Sequence, residues 1–573
     1  MFMAYLEQFM FSKTHVFLLL VCSTLSFSSF ANTKKPLAWQ IKNKTWTKSY
    51  EKSYEEFIAS IGKAKQAGVC HTTSACIKSP VANPQFYNLN PDSLMSVFSD
   101  CADLPYILRA YFSWMNDLPF TYPVELTQAP LKSAEADALM KQLNDLYAQL
   151  DRAGVFKKQV IKRQIKELRK KIFGGTGADI RYNSGGNKIV SKKYIKTGDN
   201  INTVLVDVAN AISTATFRTD GANNTTGNNF RDTFPVAVTR DAIKPGTVLY
   251  DPNGHVAVVF DVTKNGKVHL IDAHPDNSLT AITYGEKFSQ TNVEIGGGFS
   301  NWRPFSVETG TVEATPNEEL PDFSLEQFER KIPFEFNNVQ MSFHEYVRNK
   351  LSQGTLIYYP VTELNELMNE ICHDVSEREM AVNASLAAGL QNQNHPDVLP
   401  SNIYGTDGDW ESFSSPSRDA RLKASIREGR QLMQKVIQGY KDGDKHVQYD
   451  GTDLEGDLKR AYEAAATKCT VDVKKTNGGV QTLTLHTILK NIFKLSFDPY
   501  HCVELRWGLT DAESLKSCNQ SKDKIEWYNA EQGLRNLIDR DYSLKMDYSL
   551  RELPGAPISK TPEENISIVD VLN

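Results

Sequence analysis

Apolar residues fall three and four apart in "CADLPYILRAYFSWMNDLPF", at Leu104, Ile107, Leu108, Tyr111, Phe112 and Met115. That spacing predicts a core helix with Cys101 at its mouth. Further on, two runs alternate apolar and polar residues, "HVAVVFDV" from His255 and "KVHLIDA" from Lys267, joined by "TKNG". Asn265-Gly266 predicts a hairpin closed by a two-residue type I′ turn, with Lys264 facing Lys267. Counting back, Val259 opposes Asp272, Ala257 opposes His274 and His255 opposes Asp276. These side chains share one face, because alternate residues of a strand point the same way. His269 turns to the other face. His255 opens its strand behind Gly254, where a neighbouring loop can approach closely.

Around these elements the pattern predicts further organisation. Residues 32–94 form an N-terminal lead-in, whose Trp/Tyr-rich amphipathic part, residues 32–66, is expected to pack on the next domain. Residues 133–172, "SAEADALMKQLNDLYAQLDRAGVFKKQVIKRQIKELRKKI", have helical periodicity and alternating charge, as expected of a solvated helical insertion. The strands are expected to begin at Thr247. Within a polar stretch rich in Pro and Glu, residues 311–322 read as a linker closing a domain of residues 95–310. Residues 323–573 show apolar spacings of three and four almost throughout, predicting an all-α second domain.

Composition adds a compartment. Lys13 and His15 precede the apolar run "VFLLLVCSTLSF" and the small residues Ser29 and Ala31, the layout of a signal peptide (residues 1–31) cleaved near Ala31. The run is too short and serine-rich to span a bilayer, and no second run reaches that length. A periplasmic or secreted bacterial protein is expected. Net charge is −5, which gives no footprint for nucleic acid. In an oxidising compartment cysteines pair. Once Cys22 leaves with the signal, seven remain of the eight. Proximity pairs Cys70 with Cys76 and Cys502 with Cys518, leaves Cys372 for Cys469, and makes Cys101 the odd thiol. No HExxH, zinc-type CxxC pair or phosphate loop occurs, so neither metal nor cofactor is expected.

A thiol at a helix start, a histidine opening a strand and a polar residue on the next strand form the apparatus of a thiol hydrolase. The helix start favours the thiolate. The imidazole moves the proton, and a third group fixes its tautomer. Cys101 and His255 take the first two roles, with Asp272 and His274 both open for the third. Asp272 has the better chemistry and His274 the better geometry. The Cys101 N–H, with a neighbouring donor, is expected to hold the oxyanion.

The order Cys101, His255, then Asp272 or His274 resembles the papain-like cysteine-hydrolase superfamily. Cys101, Asp103, Arg109 and Leu118-Pro119 are similar to the transglutaminase-like helix, with Asp117 where that pattern has glycine. "KPGTVLYDPNGHVAVVF" is similar to NlpC-type and CHAP-type cell-wall peptidases. The resemblance covers residues 95–305 and leaves the branch open. It implies an α+β papain-like domain, followed here by the all-α domain. It also implies amide cleavage through a thioester, with peptidoglycan stem peptides or proteins as substrates. Transglutaminase-like acyl transfer, or a non-catalytic envelope protein binding a partner through its helical half, are the other expectations.

Overall fold

Three tryptophans tie the N-terminal stretch to the body of the protein. In this computed structural model the Nε1–H groups of Trp39 and Trp46 donate to the carbonyls of Leu118 (2.9 Å) and Pro119 (3.1 Å), and Trp114 donates to Pro36 (3.0 Å). An indole buries a large apolar surface only when its N–H finds an acceptor, and here each one does. The structure describes residues 34–572 except 131–133, 153–157, 159–160, 163, 166–167, 170, 173–178, 184, 224–226, 275–276, 309–310, 330–333, 405–407, 519–520 and 542–543. The expected signal peptide and Asp276 therefore lie outside the described residues, as does part of the 133–172 insertion. The described part of that insertion includes a helix, Ala134–Arg152, and its own small cluster of Leu143, Ile161, Ile165 and Ile172.

The chain mixes helix with antiparallel sheet. Helices α1 (Lys48–Gln66) and α2 (Leu104–Met115) precede a six-stranded sheet of β1 (Thr233–Pro235), β2 (Val248–Asp251), β3 (His255–Val262), β4 (Val268–Ala273), β5 (Leu279–Thr283) and β6 (Gly298–Trp302). Its strand order is β1-β6-β2-β3-β4-β5. Strands thus start before Thr247, both in β1 and in a separate ribbon pairing Thr121–Gln128 with Asn187–Tyr194. Val256, Val258, Phe260, Ile271 and Ala273 face a core shared with α1 and α2. Gly62 brings α1 close to the sheet, since a Cβ there would lie 2.1 Å from the Phe260 ring. Ala257, Val259, Val268 and Leu270 face the opposite core.

The β3–β4 register departs from the expectation twice. Thr263 N–H bonds to the Lys267 carbonyl at 2.9 Å, enclosing three residues rather than two, with Gly266 at φ 79°. This is the three-residue hairpin whose last residue needs a left-handed backbone. Glycine is required here for space as well, because a Cβ would lie 2.0 Å from the Arg348 carbonyl. A bulge between Val259 and Asp261 then shifts the pairing again, to Val258–Ile271 and Val259–Leu270. Each change slips the register by one residue. Two slips restore the parity, so His255, Asp272 and His274 still share a face and His269 does not.

Two expectations for the second half are corrected. Residues 311–322 are no free linker: Thr311–Ala314 pairs with Phe305–Glu308, and Leu320 is buried against the sheet. The sheet's far face needs a cover, and the chain supplies it from Leu320, Phe334 and helix α3 (Phe343–Leu351), which buries Phe343, Val347 and Leu351 there. Nor are residues 323–573 all helical. Helices α4 (Pro360–Ala387), α5 (Pro416–Lys441) and α6 (Leu454–Lys468) share a core with a ribbon, Thr470–Lys474 paired to Val480–Thr484. The alternation of "TVDVK" buries Val471 and Val473, which the helical reading overlooked. Three disulfides close as expected, Cys70–Cys76, Cys372–Cys469 and Cys502–Cys518, and Cys101 stays free. Among the described residues no helix is long and apolar enough to cross a membrane.

Candidate active site

Cys101 sits in the turn that leads into α2. Leu104 N–H bonds the Asp100 carbonyl, but Pro105 has no N–H to continue the ladder, and the regular helix starts at Leu104. The turn is capped reciprocally. Asp100 Oδ1 accepts from the N–H groups of Ala102 (2.8 Å) and Asp103 (3.2 Å), and Asp103 Oδ1 accepts from Asp100 N–H (2.9 Å). This reverses the expected electrostatics. The N–H groups that would favour a thiolate already hold a carboxylate. Burial, then the Asp100 charge, pushes the Cys101 thiol well above its usual range, opposed by a hydrogen bond from the Val256 N–H. Burial and Asp100 also push Asp103 up to about 8. Arg109, part of the family-like pattern, lies away from the thiol. It pairs with Glu51 and stacks 3.3 Å over the Trp46 ring.

That Val256 N–H locates the sulfur. The β3–β4 ladder ends at Val258–Ile271, so Val256 lies beyond its last pair and its N–H is released in the plane of the sheet. The Cys101 thiol therefore lies near the start of β3, against the core that Val256 shares with α1 and α2. His255 is buried, and its Nε2 stands 2.5 Å from Asp272 Oδ2. Asp272 Oδ1 accepts from the Thr280 hydroxyl on β5. Burial would raise the Asp272 carboxyl, but His274, His255 and Thr280 outweigh it and hold the group well below the usual carboxylate range. An ionised carboxylate fixes the proton on Nε2, leaving the lone pair of a neutral ring on Nδ1. Among the described residues no hydrogen bond joins Cys101 to His255.

Of the two residues left open for the third role, Asp272 makes the hydrogen bond. His274 bonds Thr280 Oγ1 at 3.2 Å and stands 3.8 Å from Asp272 Oδ1, its ring centroid 6.3 Å from that of His255. His269 faces away, bonded to Thr283 and stacked on Phe260. The chain matches no protein-family model, no curated protein and no solved structure. The site therefore has to be read from its own chemistry.

Sequence reasoning missed the cover. Glu377 of α4 reaches within 3.4 Å of His274 Nε2, and Arg418 and Arg421 of α5 line the same small cavity as Asp272 and His274. Arg540 adds an ion pair at 2.7 Å to Asp251, which pairs with His255 across β2 and β3. Nothing in the sequence marks residues a hundred positions away as partners of the hairpin. Thr280 was within reach, since a short turn after Asp272 brings β5 back alongside it.

The cover has a consequence for pH. Burial, with the charges of Arg418, His255 and Arg421, pushes His274 down to about 4 against the pull of Asp272. Between pH 4 and the ordinary value of about 6.5 the unfolded chain binds this proton and the native state does not, so stability from this group rises with pH. Relative to His274→Gln, the wild type should lose about 3 kcal/mol on going from pH 6.5 to pH 4. Denaturant midpoints of both proteins across that range check this, and parallel curves would show that His274 is protonated equally in both states.

Proposed function

We propose that the protein is an exported thiol hydrolase that cleaves amide bonds through a thioester on Cys101. One observation carries this reading. Cys101, the one free cysteine among the described residues, lies beside the backbone N–H that comes after His255, whose ring is held by the Asp272 carboxylate. In the reaction His255 Nδ1 takes the Cys101 proton as the sulfur attacks the amide carbon. The same proton goes to the departing amine, and water then splits the thioester with His255 again as base. Asp272 stabilises the imidazolium in both halves. The signal-like start and three disulfides favour an extracytoplasmic substrate, with peptidoglycan stem peptides first and proteins second. An amine in place of water gives transglutaminase-like transfer.

The raised Cys101 thiol, the occupied N–H groups and the covered His274 favour a second reading, a binding protein that keeps the fold without the reaction. Iodoacetamide separates the two at pH 6, where an ordinary thiol is almost wholly protonated. With His255 as proton acceptor, Cys101 in the native chain should be alkylated faster than in the urea-unfolded chain. Slower labelling of the native chain removes the hydrolase reading and leaves the binding one.

A further inference from the structure

Far from the Cys101 site, the helical half buries three ligand-type side chains against one another. His395 comes after α4, Asp498 lies in the loop before Cys502, and Glu531 joins the short helices Lys522–Ala530 and Gln532–Asn536. One ring nitrogen of His395, one Asp498 oxygen and one Glu531 oxygen all lie within 4.8 Å of each other.

The hydrogen bonding leaves this group in need of a cation or a proton. His395 Nδ1 is 2.6 Å from the Pro396 carbonyl, which can only accept. The ring therefore donates there from Nδ1, and its Nε2 faces Asp498 Oδ2 at 2.8 Å, a contact that a second ring proton or a metal ion must bridge. Glu531 is fully buried, no N–H donates to either of its carboxylate oxygens, and the neighbour it faces is a second carboxyl group, Asp498. The nearby cationic and histidine groups do not fill the gap. Arg535 Nη1 is 3.8 Å from Glu531 Oε2 and donates instead to the Tyr528 carbonyl. His501 Nδ1 stands 4.0 Å from Glu531 while bonding the Ser496 hydroxyl, and its Nε2 meets the Lys524 carbonyl. A buried carboxylate in this position needs a cation or a proton.

We propose that His395, Asp498 and Glu531 bind a zinc ion, with water as its fourth ligand, that staples the loop after α4 to the C-terminal helices. One imidazole with two carboxylates suits zinc, whereas calcium and magnesium take oxygen sets. Two carboxylates neutralise the ion, so the buried set carries no net charge. The second shell fits as well. The Pro396 carbonyl fixes the His395 tautomer, and the Trp527 ring stacks on it with centroids 4.2 Å apart. The three residues are far apart in sequence, which is why no metal motif announces them.

The test uses the full chain stripped with chelator and dialysed against zinc. It should take up one equivalent with a rise in melting temperature, and the cobalt form should show the intense visible bands of a tetrahedral site. Glu531→Gln and His395→Gln should each weaken zinc binding at least ~100-fold. Zinc-edge absorption of the wild type, which needs no variant to fold, should give one imidazole and oxygen neighbours at about 2.0–2.1 Å. No uptake, unchanged binding in a folded Glu531→Gln protein, or an all-oxygen six-coordinate shell would each overturn the proposal. In that case a proton shared among these groups takes the place of the metal.

Discussion

Cys101→Ala and His255→Ala should each abolish amide hydrolysis, and Asp272→Asn should lower it by about 10^4-fold, with the circular dichroism of all three unchanged. In the proposed mechanism the sulfur is the nucleophile, and no other free thiol is present among the described residues to replace it. In that mechanism His255 is the base, with its tautomer fixed by Asp272. Asp272→Asn keeps the shape, but an amide can present its N–H to Nε2 and push the ring proton onto Nδ1, where it blocks the reaction. His274→Gln should cost less than about 10-fold, because His274 bonds Thr280 and stands off from the His255–Asp272 bond. His269→Ala, on the opposite face, is the internal control. The measurement is turnover of peptidoglycan stem peptides or a peptide library, followed by mass spectrometry. Full activity in Cys101→Ala ends the hydrolase reading, and equal losses from His274→Gln and Asp272→Asn would return the third role to both.

The legible part of this site depended on parity and counting. With Cys22 set aside in the expected signal peptide, the odd count of the remaining cysteines points to Cys101 without any geometry. Strand alternation put His255, Asp272 and His274 on one face, and that survived two register slips only because they came as a pair. A single slip would have turned Asp272 away, so the face assignment holds because the longer turn and the bulge cancel each other. The electrostatics were less legible. "DCAD" has the spacing of a reciprocal cap, yet whether Asp100 helps or opposes the thiol depends on burial that a sequence does not display. The polar composition of residues 311–322 resembled a linker because edge ribbons and surface cover share that composition. What separates them is the apolar sheet face waiting to be covered, and that face exists only after folding. Glu377, Arg418 and Arg421 were out of reach for the same reason: their positions are set by how α4 and α5 dock.

The docking of the second half decides where the chain can be cut. A fragment of residues 34–319 should be insoluble or fail to unfold cooperatively, whereas 34–354 should be soluble and keep the Cys101 disposition. The shorter fragment loses Leu320, Phe334, Phe343, Val347 and Leu351 from the face formed by Leu249, Ala257, Val259, Val268, Leu270 and Phe299. At about 1.5–3 kcal/mol for each large apolar side chain, that loss is on the order of 10 kcal/mol. A domain's entire stability is typically about 5–15 kcal/mol. The longer fragment keeps this cover and also the Arg348 carbonyl against which the Gly266 turn is pressed. It loses Glu363, which pairs with Lys267 at 3.1 Å and with Arg348 at 2.5 Å, and the Arg540–Asp251 pair. Removing one partner leaves a charge that must find water, and here the same cut opens the interface to solvent, which limits the cost. The cut at 354 also lifts α4 and α5 from Asp272 and His274, so alkylation of Cys101 in 34–354 should be at least as fast as in the full chain. Thermal unfolding of the two fragments, with iodoacetamide rates on the soluble one, measures both parts. Cooperative melting of 34–319 within a few degrees of 34–354 would show that the sheet folds without its cover. Slower labelling in 34–354 than in the full chain would mean that the helical half helps assemble the site instead of covering it.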